Sequence, residues 1–111
     1  MNKTKKVIFV DENLETLFEE LKEGKYEDKE LHRFIKKAID NLKEDPERGV
    51  KIPRKLWPII YIQKYNINNL WKYDLPKGWR LIYTIKTEEL MILGIILEWF
   101  DHKEYERRFN Y

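Results

Sequence analysis

Lys72 and Arg80 are the first residues whose placement asks for a chemical reason. Residues 70–75 alternate with period two, with Trp71, Tyr73 and Leu75 on one face and Leu70, Lys72 and Asp74 on the other. Residues 79–85 alternate in the same way, and here Arg80, Ile82 and Thr84 share a face. Between the two runs, Leu75-Pro76-Lys77-Gly78-Trp79 has turn chemistry: proline fixes one φ and glycine supplies a positive one. If the runs pair, two cations meet on one sheet face, where like charges normally repel. An anion such as a phosphate would give them a purpose. Asp74, two residues from Lys72 on the same face, offers the plainer explanation by neutralising one of them, and the spacing leaves both open.

A second group follows a long apolar run. His102 lies beside Asp101 and near Lys103, Tyr105, Arg107 and Arg108. Histidine titrates near neutrality and serves as a general acid or base. A lone histidine in a chain of this size is more often structural or exposed, and Asp101 also suits a helix cap. A third group, Lys51, Arg54 and Lys55, forms a basic cluster in an irregular stretch. It suits phosphate contacts or loop solubility, and composition does not separate the two. His32 sits beside an apolar helical stripe among Lys and Glu and reads as an ordinary boundary histidine. The chain has no cysteine, which excludes disulfides, thiol nucleophiles and cysteine-based zinc sites. There is no Walker loop, GxGxxG, HExxH or GxSxG, and no metal or cofactor is expected.

These residues need a scaffold. Residues 6–10 form a short β-branched run and predict a strand. Asp11 offers an N-cap to a helix carrying Leu14, Leu17, Phe18 and Leu21, which Gly24 ends. Asp28 is expected to cap a second helix with the stripe Leu31, Phe34, Ile35, Ala38, Ile39 and Leu42, closed by Glu44-Asp45-Pro46. Pro58 can start a short helix over 59–65, with Trp57, Ile60 and Tyr61 tucked against the core. Residues 90–100 read as a long strand, apolar on both faces through Leu97 and therefore central. Residues 101–111 read as a short C-terminal helix. The order β-α-α-β-β-β with that helix predicts an α+β fold, an antiparallel sheet of about four strands with an N-terminal helical hairpin on one face.

Composition sets outer bounds. With 111 residues the chain is long enough for one domain, spanning 1–111. A 42% hydrophobic and 14% aromatic content excludes intrinsic disorder. The longest apolar stretch, residues 90–97, falls well short of the roughly 20 residues of a membrane span. The apolar run at 7–10 is too short for a secretory signal, so a cytoplasmic protein without membrane partners is expected. Residues 1–49 hold 11 basic and 13 acidic side chains, whereas residues 50–111 hold 11 and 7. The positive excess therefore lies with all four tryptophans, a combination compatible with nucleic-acid binding or with a solvated surface.

Residues 69–85, followed by Ile95-Ile96-Leu97-Glu98-Trp99-Phe100-Asp101-His102-Lys103-Glu104-Tyr105, resemble the RelE/ParE superfamily of type II toxin–antitoxin toxins. The family pattern is an aromatic-basic strand, a turn, an aromatic-Arg-Leu-Ile/Val-Tyr strand, an apolar strand, and a tail bearing His, Tyr or basic residues. The resemblance implies a RelE-like fold and a ribosome-dependent endoribonuclease that cuts mRNA without a metal, using the substrate's own 2′-hydroxyl. It also implies a cognate antitoxin, with ribosome and mRNA as further partners. Carried over, Arg80 and Lys72 would bind the scissile phosphate, while His102 and Tyr105 would serve acid–base work or base stacking. Lys51, Arg54, Lys55, Arg107 and Arg108 would be RNA contacts. ParE-like members of the same fold instead inhibit DNA gyrase, and an inactive member would only bind antitoxin. Two departures stand out: Asp74 occupies a position where some members carry a second basic residue, and residues 53–68 form a longer segment than in compact members.

Overall fold

The computed structural model describes residues 3–110. In chain order these form β1 (Thr4–Phe9), α1 (Glu12–Glu20), α2 (Tyr26–Glu44), β2 (Val50–Lys51), α3 (Ile59–Lys64), β3 (Trp71–Asp74), β4 (Arg80–Thr87), β5 (Met91–Phe100) and α4 (His102–Arg108). The α+β class and the order of helices and meander are as expected. The sheet is not: it has five strands in the order β1-β5-β4-β3-β2, and it is mixed. β1 runs parallel to β5, from Thr4 opposite Met91 to Phe9 opposite Ile96. A parallel pair needs a crossover. Here the crossover is the helical hairpin followed by the far edge of the sheet. The extra strand, β2, is only two residues long, too short to show a period.

Helix ends follow local chemistry. The Asp11 carboxylate accepts from the Leu14 amide at 2.9 Å, as an N-cap should. Asp28 does not stand before its helix. It lies in the first turn of α2 and accepts the Lys25 amide at 3.0 Å, so it closes the helix from within. Asp45 and Pro46 end α2 where the pre-proline restriction requires.

Two apolar clusters cover the two faces of the sheet. On the first face Leu31, Ile35, Ala38 and Leu42 of α2 and Phe18 of α1 pack on Leu81, Tyr83 and Ile96. On the second, Trp57, Tyr61, Tyr105 and Phe109 pack on Leu70, Ile82, Leu97 and Phe100. This second core exceeds the sequence-based expectation, which left that face largely to Lys72, Asp74 and Arg80. Ile60 departs the other way: it was expected in the core and is 47% exposed.

A register shift between Ile82 and Tyr83 of β4 decides which side chains reach the second face. Ile82 pairs with Glu98 and Tyr83 with Ile96, so Leu97 is an extra residue in β5. Without this bulge, strict alternation would turn Glu98 and Phe100 toward the helical hairpin. With it, both reach the side occupied by α3 and α4.

At the β2 edge, Gly49 is required. A Cβ there would lie 2.4 Å from the Lys72 carbonyl oxygen and 2.7 Å from the Tyr83 hydroxyl. That hydroxyl donates to the Pro46 carbonyl at 2.6 Å and accepts from the Gly49 amide at 3.1 Å, tying the end of α2 to β4. Burial is the main reason its pKa is pushed up to about 12.

Candidate phosphate-binding site on the second sheet face

The β3–β4 hairpin sets the cations in place. Its register pairs Asp74 with Arg80 and Lys72 with Ile82, so Lys72 and Arg80 are diagonal neighbours with Asp74 beside both. The turn is tight: Gly78 has φ +81° as expected, and Lys77 also adopts a positive φ of 60°. Asn69 pins the other end. Its Oδ1 accepts from the Ile85 amide at 2.8 Å and from the Trp71 indole at 3.0 Å, while its Nδ2 donates to the Ile85 carbonyl.

Asp74 Oδ1 lies 2.9 Å from Arg80 Nε and 3.9 Å from Lys72 Nζ. Both alternatives left open by the spacing are thus physically present: two cations meet, and one carboxylate holds them. The contact with Arg80 is one of charge rather than alignment. Its buried Nε has no hydrogen-bond partner, because the N–H does not point at the nearby oxygen. One guanidinium nitrogen donates to the Trp79 carbonyl at 3.3 Å. Asp74 is the most exposed of the three, with 57% of its side-chain surface open, whereas Arg80 keeps 17%.

The cations are positioned from the opposite side by α4. Asp101 caps this helix, its carboxylate accepting from the Glu104 amide at 2.9 Å, and the chain folds back over the sheet. Tyr105 then turns inward, 97% buried, and stacks on Phe109 with ring centroids 4.7 Å apart. Lys72 Nζ and the Arg80 guanidinium carbon each lie 5.4 Å from the centroid of the Tyr105 ring, within cation–π range. The structure therefore brings Lys72, Arg80 and Tyr105 together. It does not offer the Tyr105 ring to a base, because Phe109 and the two cations already cover it.

His102 occupies the first turn of α4, beside the hairpin turn: a Cβ added at Gly78 would meet the His102 Cβ at 3.2 Å. Its imidazole Nε2 pairs with the Glu106 carboxylate one helical turn on. Sequence reasoning passed over Glu106, although the i,i+4 spacing on a helix was the available signal.

The proposed RNA contacts divide. Arg108 turns inward, its Nη1 lying 2.9 and 2.6 Å from the Glu98 carboxylate oxygens, and Tyr61 donates to the same carboxylate. Burial pulls the Arg108 pKa down, but Glu98 outweighs it and the net direction is up. Burial, then the Glu98 hydrogen bond, raises that of Tyr61. This group clamps α3 and α4 onto β5, and neither its membership nor the bulge that orients it was legible in spacing. Arg107 stays exposed, at 3.0 Å from Glu104. Arg54 lies over the Trp57 ring at 5.1 Å and Lys55 is exposed. Lys51 pairs with Trp71, whose side chain faces the helical hairpin, so it points away from Lys72. Among the described residues no three His, Asp or Glu side chains gather closely enough to hold a metal ion.

A family model described as the ParE toxin of the type II toxin–antitoxin system parDE matches residues 10–97. The chain belongs to this toxin family. No curated protein and no solved structure matches it. The family match contains Lys72, Asp74 and Arg80 and stops at the β5 bulge, before Glu98, His102 and Tyr105. Membership in a type II toxin–antitoxin family implies a cognate antitoxin. Among the described residues no helix of this toxin is long and apolar enough to cross a membrane.

Proposed function

We propose that this toxin is a ribosome-dependent endoribonuclease that cuts mRNA through attack of a ribose 2′-hydroxyl on the adjacent phosphate. The observation that carries the reading is the convergence of Lys72 and Arg80 over the Tyr105 ring, held by one largely exposed carboxylate. A phosphodiester carries one negative charge, and attack by the 2′-oxygen raises it toward two, the charge that two such cations match. The phosphate would displace Asp74, and the buried Arg80 Nε would gain the aligned acceptor it lacks. In the transition state, negative charge builds on the phosphate oxygens, and fixed cations there stabilise it more than they stabilise the ground state. The 2′-hydroxyl proton passes to a base, and the departing 5′-oxygen takes up a proton. The fragments carry a 2′,3′-cyclic phosphate and a 5′-hydroxyl. His102, oriented by Glu106, is the acid–base group of this reading. Tyr105 is a positioning residue that fixes the two cations. Arg54, Lys55 and Arg107 are the exposed cations available to ribosomal RNA.

The test is induced expression in a bacterium with primer extension on a translated mRNA, comparing the parent with Arg80→Ala. Growth arrest with new cleavage sites, both lost in the variant, supports the nuclease. The ParE family match favours a second reading, inhibition of DNA gyrase without RNA cleavage. Arrest with intact mRNA would select it.

A further inference from the structure

α3 leaves three isoleucines open beside its two polar side chains, Gln63 and Lys64. Tyr61 turns into the second core, whereas Ile60 and Ile62 flank it at 47% exposure each and Ile59 points outward at 69%. Leu56, just before it, is also exposed. A surface helix normally turns its apolar side chains to the core, and this one turns in Tyr61 and leaves three isoleucines exposed. Beside it, between the Lys55–Ile60 segment and the C-terminal part of α4, runs a groove of about 660 Å³ with Trp57 and Phe109 in its lining.

Charge indicates what covers this surface. From Arg48 to Tyr73 the chain carries six cations (Arg48, Lys51, Arg54, Lys55, Lys64 and Lys72) and no acidic residue. Lys55 lines the groove on one side, and Arg107 and Arg108 line it on the other, where Glu104 is the single acidic group among the described residues and is already paired with Arg107. A second copy of this chain would bring like-charged rims face to face. RNA would find phosphate partners at the rim but no open aromatic face to stack on, because Trp57 and Phe109 are buried and the exposed side chains are leucine and isoleucine. An acidic amphipathic helix satisfies both features, with apolar side chains on the isoleucines and carboxylates against the rim.

We propose that the α3 surface and its groove dock an acidic amphipathic segment of the cognate antitoxin. The proposal rests on membership of the toxin–antitoxin family and not on RNA cleavage. Its test is calorimetric titration of the full-length toxin with the antitoxin from its own locus, for the parent, Ile59→Glu and Lys55→Glu. Both positions are exposed, so thermal midpoints should match the parent. Ile59→Glu is expected to weaken antitoxin binding by about 30-fold or more, as for an apolar anchor at the centre of an interface. Lys55→Glu is expected to weaken it several-fold, with the difference shrinking at high salt. Antitoxin affinity unchanged in Ile59→Glu overturns the proposal. So does Ile59→Glu dissociating a dimer of the toxin alone, which would give the surface to a second copy. Loss of growth arrest in Ile59→Glu with antitoxin binding intact would give the surface to the toxin's target and also overturns the proposal.

Discussion

The two faces of the sheet are built on different terms. On the first, α2 lays a five-residue buried stripe on Leu81, Tyr83 and Ile96, and Glu30, a carboxylate drawn in at its edge, is paired with Lys77 of the β3–β4 turn. On the second, two short helices cover the strands thinly, and ionised groups enter the packing: Glu98 with Arg108 and Tyr61, and Asp74 with Arg80 and Lys72. Burying charge is costly unless it is paired, so a face that accepts it is not optimised for stability alone. The first face holds the fold and the second carries the proposed site.

That division can be broken by mutation. Arg80→Ala is expected to lower mRNA cleavage by about 10²–10³-fold, as for loss of a transition-state charge partner, with the urea midpoint near the parent's. Equal loss of stability would make Arg80 a structural residue. Leu42→Ala, at a fully buried position on the first face, is expected to destabilise by about 2–5 kcal/mol. Below its melting point it should still cut mRNA at the parental rate, which sharpens the contrast.

The same contrast explains what was legible from sequence. The first face is made by a 3.6-residue stripe and two alternating strands, and those periods name its residues directly. The pairing of Arg80 and Lys72 with Asp74 was visible as alternatives because β3 and β4 meet through a short turn. The second face depends on a one-residue bulge in β5, on a six-residue helix and on a two-residue strand, none of which leaves a period to read. Glu98 and the inward turn of Arg108 were hidden for that reason, whereas Glu106 was legible in its i,i+4 spacing from His102. The parallel pairing of β1 with β5 was hidden because alternation reports faces, not neighbours.

Glu98→Gln probes the second face without touching the phosphate site. It should cost about 1–3 kcal/mol in urea unfolding by leaving the half-buried Arg108 with only the longer Glu104 contact at 3.7 Å. It should also lower cleavage modestly by loosening α4 and Tyr105. A smaller effect belongs to the first face. His32 stacks on Phe18, its Nε2 lacks a hydrogen-bond partner, and burial, then Lys22, lowers its pKa below the usual 6.5. The unfolded chain therefore takes up this proton first as pH falls. His32 contributes fully to stability above about pH 6.5, and loses that contribution as pH drops toward the lowered folded value. His32→Gln should narrow the gap between urea midpoints at pH 7.5 and pH 5.5, and a gap of parental size would show that the imidazole does not carry it.

The parallel edge strand has a consequence for how the molecule comes into being. Val7 pairs with Gly94, and Phe9 with Ile96, so the first strand made finds its neighbour only after β5 has been synthesised. Closing so long a loop is slow relative to forming the helical hairpin or the β3–β4 turn. Arg80 and Lys72 acquire the Tyr105 ring later still, since α4 follows β5. The helical hairpin can thus form while the charged face is still unassembled, and the site proposed on that face is complete only once β5 and α4 have both been made.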